Sequence, residues 1–455
     1  MKRFYAALFA FFLAFAWTPP ASALEIIRDA ETETMISELA TPLFRAAGFD
    51  ADAIHVYIVR DDAINAYVAE GKNIFLHTSL LLFDDDPTVL AGVVAHELGH
   101  IRGGHLVRRK ESAKDLTAGA ALGYVLGLAT GALAGPAAGT AILGASQHVL
   151  GREMLREGRG HEDAADRAAA EFMSKAGYPP DGLIKLLSYL QSQESASPER
   201  VDPYTVSHPL SAERLAHIKD YERAKTLSPD LPRLRNAYRF VHAKLTGFLE
   251  DPEYVVARYH PDNPAGEKID LPEKYGSAVG YFRQSRFDEA FSALASLPAN
   301  VPNAAFVEEL KAQFSFESGY IDDAVRLYGR ASSMRPDISL LKAQYATALI
   351  SAANEKNDPG LQKAVDMLID ARLKGETSRF ILKELGVAYG KMENVGQANL
   401  YLAEWAIAGK DVKEADTFLK LAEKRIDPGT PADVRLRDVR YALKKLREEK
   451  KSGDE

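Results

Sequence analysis

Val93-Val94-Ala95-His96-Glu97-Leu98-Gly99-His100-Ile101 is an apolar run broken by two histidines and one glutamate. Asp86-Pro87 stands ahead of it, a capping residue followed by proline at the first helical position, so the spacing predicts a helix. Four residues apart on that helix, His96 and His100 project from one face and can share a single ion. Neutral imidazole nitrogens suit Zn2+. Glu97 follows the first histidine at once, which puts its carboxylate beside the ion rather than on it, in position to take a proton from bound water. Two histidines and a glutamate sunk into an apolar face without an ion or partners would be costly. The stretch therefore predicts a metal-dependent hydrolytic site.

Catalytic zinc keeps three protein ligands and an open fourth position, so another donor is required. His161-Glu162-Asp163-Ala164-Ala165-Asp166 begins a second helix that stops near Gly177 and Pro179. His161 and Glu162 compete for the third place. Glu162 and Asp166 share a helix face, which allows Glu162 to bind the ion while Asp166 accepts a hydrogen bond from a ligand imidazole. His161 points elsewhere from its neighbour, and Asp163 reads as a solvated first-turn acid favoured by the helix dipole. Cysteine is absent from the 455 residues, which excludes disulfides, thiolate metal sites and cysteine nucleophiles.

The wider composition, 46% hydrophobic and 26% charged, is that of a globular chain with more than one small domain. Met1-Lys2-Arg3, the uncharged stretch Phe4 to Trp17, and Ala21-Ser22-Ala23 after Pro19-Pro20 form the pattern of a cleavable signal peptide over 1–23. The expectation is export to the periplasm, with a mature chain from Leu24. Without Lys2 and Arg3 the net charge of −8 becomes −10. An acidic chain with no long basic run excludes nucleic acid as a partner.

Around the motif the pattern is α+β and mainly α. Ile54 to Arg60 and Asn73 to Leu76 read as strands, Ala66-Tyr67-Val68 as a third that could pair with them, and Glu70-Gly71-Lys72 as a turn. From Leu116 to Leu150 there is no Asp, Glu, Lys or Arg, and Gly119, Gly123, Gly127, Gly131, Gly135 and Gly139 recur every fourth residue. That insertion reads as close-packed helices bent at Pro136, or as a shallow membrane-surface contact. A boundary region follows at 251–270. Beyond it Ala290, Ala324, Ala364 and Ala398 recur at steps of 34, 40 and 34 residues, with Ala331 and Ala371 seven residues further on in two units and a plausible loop insertion at Asn354 to Gly360. This resembles the tetratricopeptide repeat. The domains expected are a catalytic domain with the metal motif over 24–250, a linker over 251–270 and an all-α repeat solenoid over 271–455.

His96-Glu97-Leu98-Gly99-His100, then Glu162-Asp163-Ala164-Ala165-Asp166, then Ser207-His208-Pro209 resembles the zinc metallopeptidase family of HtpX, the CAAX prenyl endopeptidases and periplasmic BepA. An exported catalytic domain with tetratricopeptide repeats behind it is most similar to the BepA branch. The resemblance implies a zincin-type fold with one zinc on His96, His100 and Glu162, Glu97 as general base and Asp166 behind the ligands. It also implies that His208 lies near the metal, where it stabilises the transition state or occupies the open position as a resting plug. His105 follows the family's habit of a further histidine and is expected to be structural. The implied activity is zinc-dependent endopeptidase cleavage of unfolded or stalled outer-membrane protein clients, with repeats that recruit client or assembly machinery. The alternative is a chaperone or scaffold for that assembly with a mostly latent site. An extended peptide is expected against Asn65 to Val68 or Asn73 to Leu76.

Overall fold

The computed structural model describes residues 25–69, 72–105, 159–196, 204, 208, 212–220, 226–260, 269–376 and 378–453. The signal peptide expected over 1–23, the glycine-periodic stretch 116–150 with Pro136, and the turn at Glu70-Gly71 lie outside these residues. Two compact units are present, one with residues up to Arg28 and Met35–His242, the other with Asp29–Thr34 and Ala243–Glu455. Asp251-Pro252, expected to open the linker over 251–270, instead caps and opens a helix, Pro252–Arg258. Among the described residues no helix is long and apolar enough to cross a membrane.

The first unit carries a four-stranded sheet in the order β1-β2-β4-β3, formed by β1 (Ile26–Ile27), β2 (His55–Val59), β3 (Ala66–Ala69) and β4 (Asn73–His77). β2 and β4 run parallel; β1 is antiparallel to β2, and β3 to β4. Alternation puts Ile58, Ile74, Leu76 and Ala66 on the buried face. The Asn73–Leu76 segment, expected as one possible platform for a peptide, is interior to the sheet with both edges paired. Among the described residues β1 and β3 are the edge strands.

The helices of this unit include α1 (Ala30–Ala46), whose first turn belongs to the other unit, and the short α2 (Thr78–Leu81). They continue with α3 (Pro87–Gly103), α4 over 159–176, α5 (Asp181–Ala196), α6 (Ala212–Asp220) and α7 (Leu231–Leu249), whose residues from Ala243 belong to the other unit. α3 opens as expected, with the Asp86 side chain accepting from Thr88 N at 2.9 Å and Pro87 in the first turn; it closes on Gly104 at φ +64°. Every residue from Pro87 to Gly99 is buried, so α3 is a core helix apolar all round rather than a surface helix with one apolar stripe. Its neighbours come close through glycine. A Cβ on Gly92 would meet Leu183 Cβ at 2.5 Å, and one on Gly99 would meet the Ala165 carbonyl oxygen at 2.7 Å. α3 and α4 therefore cross at Gly99, one turn from the metal-motif side chains of both.

The second unit is all helix over its described residues. It runs through α8 (Pro252–Arg258), α9 (Leu271–Arg283), α10 (Phe287–Ala295), α11 (Ala304–Glu317), α12 (Ile321–Met334), α13 (Ser339–Ala352), α14 (Pro359–Leu373), α15 (Arg379–Lys391), α16 (Val395–Ala408), α17 (Val412–Glu423) and α18 (Pro431–Gly453). From α9 onward each helix packs mainly on its sequence neighbours, the pattern of a one-dimensional stack. The recurring Ala290, Ala324, Ala364 and Ala398 are buried, as are Ala331 and Ala371. Five residues before three of them, Ser285, Gly319 and Glu393 take positive φ of 61°, 84° and 59° and turn the chain into the next helix. In the 40-residue unit that place is taken by the loop that ends at Asp358, whose side chain caps α14.

Near the start of this unit lies an ion cluster in which Lys244, Glu31 and Glu309 are fully buried and Asp29 is largely so. Lys244 Nζ donates to Asp29 at 2.6 Å and to Glu309 at 3.3 Å, with Glu31 at 3.5 Å. Glu31 accepts from Tyr275 Oη at 2.8 Å and Asn303 Nδ2 at 2.5 Å; Gln344 donates to Glu309 at 2.8 Å. One cation cannot compensate three carboxylates, two of them fully buried. Burial pushes Glu31 up to about 7 and Glu309 up as well, while Lys244, once burial is counted, holds Asp29 below its usual value. A carboxyl raised in the folded state stabilises fully below its unfolded value and loses that contribution as pH rises through the folded one. Stability is therefore expected to fall between about pH 4.5 and 7 on account of Glu31, with Glu309 acting in the same direction. Urea unfolding of the full chain across that range tests this, and Glu31→Gln should flatten the slope.

Candidate metal centre

α3 presents His96 and His100 one turn apart, ring centroids 4.7 Å from each other, and α4 brings Glu162 and Asp166 against them across Gly99. The Glu162 carboxylate lies 3.3 Å from His96 Nε2 through one oxygen and 3.3 Å from His100 Nε2 through the other. His208 Nδ1 is 3.1 Å and 3.2 Å from the two Glu162 oxygens and 3.2 Å from His96 Nε2. His96, His100, Glu162 and His208 each offer a donor atom, and these atoms all lie within 4.8 Å of one another.

The surroundings fix which way the lone pairs point. Asp166 Oδ1 accepts from His96 Nδ1 at 2.9 Å, so the His96 Nε2 lone pair faces inward. His105 Nδ1 meets His100 Nδ1 at 2.9 Å and leaves His100 Nε2 inward too. His161 stacks on the His105 ring at 4.3 Å rather than turning into the cluster. Electron-pair donors thus face one another at 3.0–3.3 Å in a buried pocket. That is repulsive unless a proton or a metal ion sits among them, and three imidazoles with one carboxylate are a zinc-type set. Glu97 is buried beside them, with Oε1 lacking a hydrogen-bond partner among the described residues and 3.5 Å from His208 Nε2. A buried carboxylate oxygen without a donor fits a place where water or substrate supplies the proton.

Electrostatics follow the same logic. Burial pushes the Glu162 carboxyl up, and hydrogen bonds with His100, His208 and His96 outweigh it, holding it far below the carboxylate range. Burial likewise opposes charge on His96, but the bonds to Asp166 and Glu162 push its imidazolium up to about 10. A divalent ion held by these donors would supply the positive charge that the buried Glu162 carboxylate calls for.

Arg214 on α6 escapes a reading of motifs. It is buried, donates to both Asp166 oxygens at 2.6 and 2.9 Å, reaches the His208 carbonyl at 3.3 Å and stands 3.2 Å from Glu162. Burial penalises its charge, and the bonds to Asp166 more than restore it; the same bonds, with His96, hold Asp166 low against its own burial. Its signal in the sequence was a charged residue next to Leu215 and in phase with Ile218, the buried side of a short helix. Tyr204 was also passed over. Its ring packs 4.8 Å from that of His208, and its carbonyl accepts from His208 N at 2.7 Å.

Residues 27–222 match Peptidase family M48. The chain is 26% identical over 330 residues to the beta-barrel assembly-enhancing protease of Yersinia pestis, covering 71% of this chain and 66% of that one, just under two thirds of its length. It is 24% identical over 416 residues to the protein of that name from Escherichia coli K12, covering 90% and 82%. A putative beta-barrel assembly-enhancing protease of Vibrio cholerae is 25% identical over 292 residues, covering 62% and 58%. Residues 27–222 therefore carry a metallopeptidase domain of Peptidase family M48.

Removing the groups behind the ligands should cost metal affinity without removing a ligand. Arg214→Ala is expected to weaken zinc binding about 10- to 100-fold by competition with a chelator. Glu162→Ala should abolish stoichiometric binding, and His161→Ala should leave it unchanged.

Proposed function

We propose that this chain, a metallopeptidase by its residues 27–222, is a zinc-dependent endopeptidase of the periplasm that hydrolyses unfolded or misassembled outer-membrane proteins. The convergence of His96, His100 and Glu162 donors beside the unpartnered Glu97 oxygen carries the reading. The names of the relatives, which specify β-barrel assembly, support the client class, and the N-terminal pattern over 1–23 supports the compartment.

His96, His100 and Glu162 would hold the ion. Zinc, when bound, lowers the pKa of a water and polarises the scissile carbonyl. Glu97 takes the proton from the attacking water and returns it to the leaving amine. Asp166 keeps the His96 Nε2 lone pair inward by accepting the Nδ1 proton, and Arg214 keeps Asp166 ionised. An extended client lies along the β3 edge and borrows main-chain hydrogen bonds, which recognises unpaired segments with little demand on sequence. The helical repeats of the second unit form a tetratricopeptide solenoid that recruits client or assembly machinery.

His208 sits among the donors rather than away from them, as a resting plug would. That observation favours a second reading, an assembly chaperone or scaffold whose protease site is mostly latent. Glu97→Gln discriminates the two. It should retain zinc and lose at least about a hundredfold in casein hydrolysis; cells carrying it that assemble their outer membrane as wild type would leave the scaffold reading standing. His208→Ala, with three ligands intact, should keep zinc and raise basal hydrolysis several-fold. A fall in rate would make His208 a transition-state donor instead.

A further inference from the structure

The face of the sheet opposite the buried one carries a row of rings. Cross-strand register sets Tyr57 of β2 beside Phe75 of β4, and Phe75 beside Tyr67 of β3. The first pair stacks at 5.2 Å between centroids and the second at 5.1 Å with planes only 11° apart. His77, next along this face of β4, meets Tyr67 edge-on at 5.9 Å. The three stacked rings stay half-buried, whereas Ile58, Ile74 and Leu76 on the other face are fully buried. The row crosses the sheet and stops at Tyr67, on the strand whose outer edge has no strand partner among the described residues. α3, which carries His96, Glu97 and His100, packs against β3.

A chain added along β3 places the residue opposite Tyr67 on the same face, with Cβ atoms about 4.5–5.5 Å apart. An aromatic side chain there becomes the fourth ring of the row, stacking on the face of Tyr67 turned away from Phe75; serine offers no ring to stack. The neighbouring client residues point to the opposite face. We propose that Tyr67 is a specificity-determining residue of the peptidase site, selecting extended client segments with an aromatic side chain in register with it. The inference rests on the peptidase reading above. Its client chemistry is a strand with period-two apolar alternation and aromatic residues at fixed positions, which unassembled outer-membrane barrel strands possess through their aromatic girdles.

The test uses the zinc-loaded full chain and a library of unstructured peptides in which one position at a time is Phe, Tyr or Trp against Ser. Cleavage sites are mapped by mass spectrometry and kcat/KM is measured for each pair. Wild type should prefer the aromatic by about 2- to 10-fold at one fixed distance from the scissile bond. Tyr67→Ser should bring that ratio to about one, and Tyr67→Phe should keep it. Should Tyr67→Ser not fold, Tyr67→Leu preserves the apolar volume and is read by the same ratio. Equal rates in wild type at every position, or a ratio that survives loss of the ring, would overturn the subsite while Glu97-dependent cleavage left the peptidase reading intact. Absence of any Glu97-dependent cleavage would overturn that reading and the subsite with it.

Discussion

The close crossing of α3 over α4 is the constraint from which the site follows. With no side chain at Gly99, the Ala165 backbone can approach to a distance at which a Cβ would collide with it. His96 and His100 lie on one side of that crossing and Glu162 and Asp166 face them from the other. Histidine and carboxylate side chains reach only a few bonds from the backbone, so donors on two helices meet at hydrogen-bond distance only where the axes come unusually near. The glycine is therefore part of the donor geometry even though it contributes no atom to it.

Around the crossing, charge is compensated in layers. Inward-facing lone pairs and the Glu162 carboxylate call for a cation; Asp166 orients His96; and Arg214 balances Asp166 from a third helix. Each layer is buried, so each charge is costly without the next. The low polarity that makes the arrangement expensive also strengthens its hydrogen bonds and holds the rings in single orientations. The unpartnered oxygen of Glu97 is the exception, and it faces the donors.

The second unit answers a different demand. Its helices bury small residues against sequence neighbours, and left-handed turn residues at 285, 319 and 393 set the pace of the stack. One group of charges departs from that plain architecture. Lys244 with Asp29, Glu31 and Glu309 lies wholly inside the unit, and the carboxyls that Lys244 cannot satisfy hold their protons more tightly.

Local chemistry made much of this legible. The spacing of His96 and His100, the cap at Asp86-Pro87, the strands near 54–60 and 73–76 and the alanine period all depend on residues a few positions apart, where helix and strand geometry is fixed by the backbone. Glu162 is favoured over His161 by the face it shares with Asp166, but only the fold brings it to the two histidines and stacks His161 on His105. Which strand lies at the sheet edge depends on pairing order, and β4 is interior only because β3 folds back on its far side. Arg214 carries no motif of its own, since its role is defined by Asp166, 48 residues earlier in the chain. The sequence by itself determined the kinds of donors and their local spacing. Tertiary structure alone decided which of them meet, because close helix crossings and strand order are settled by packing between segments far apart in the chain.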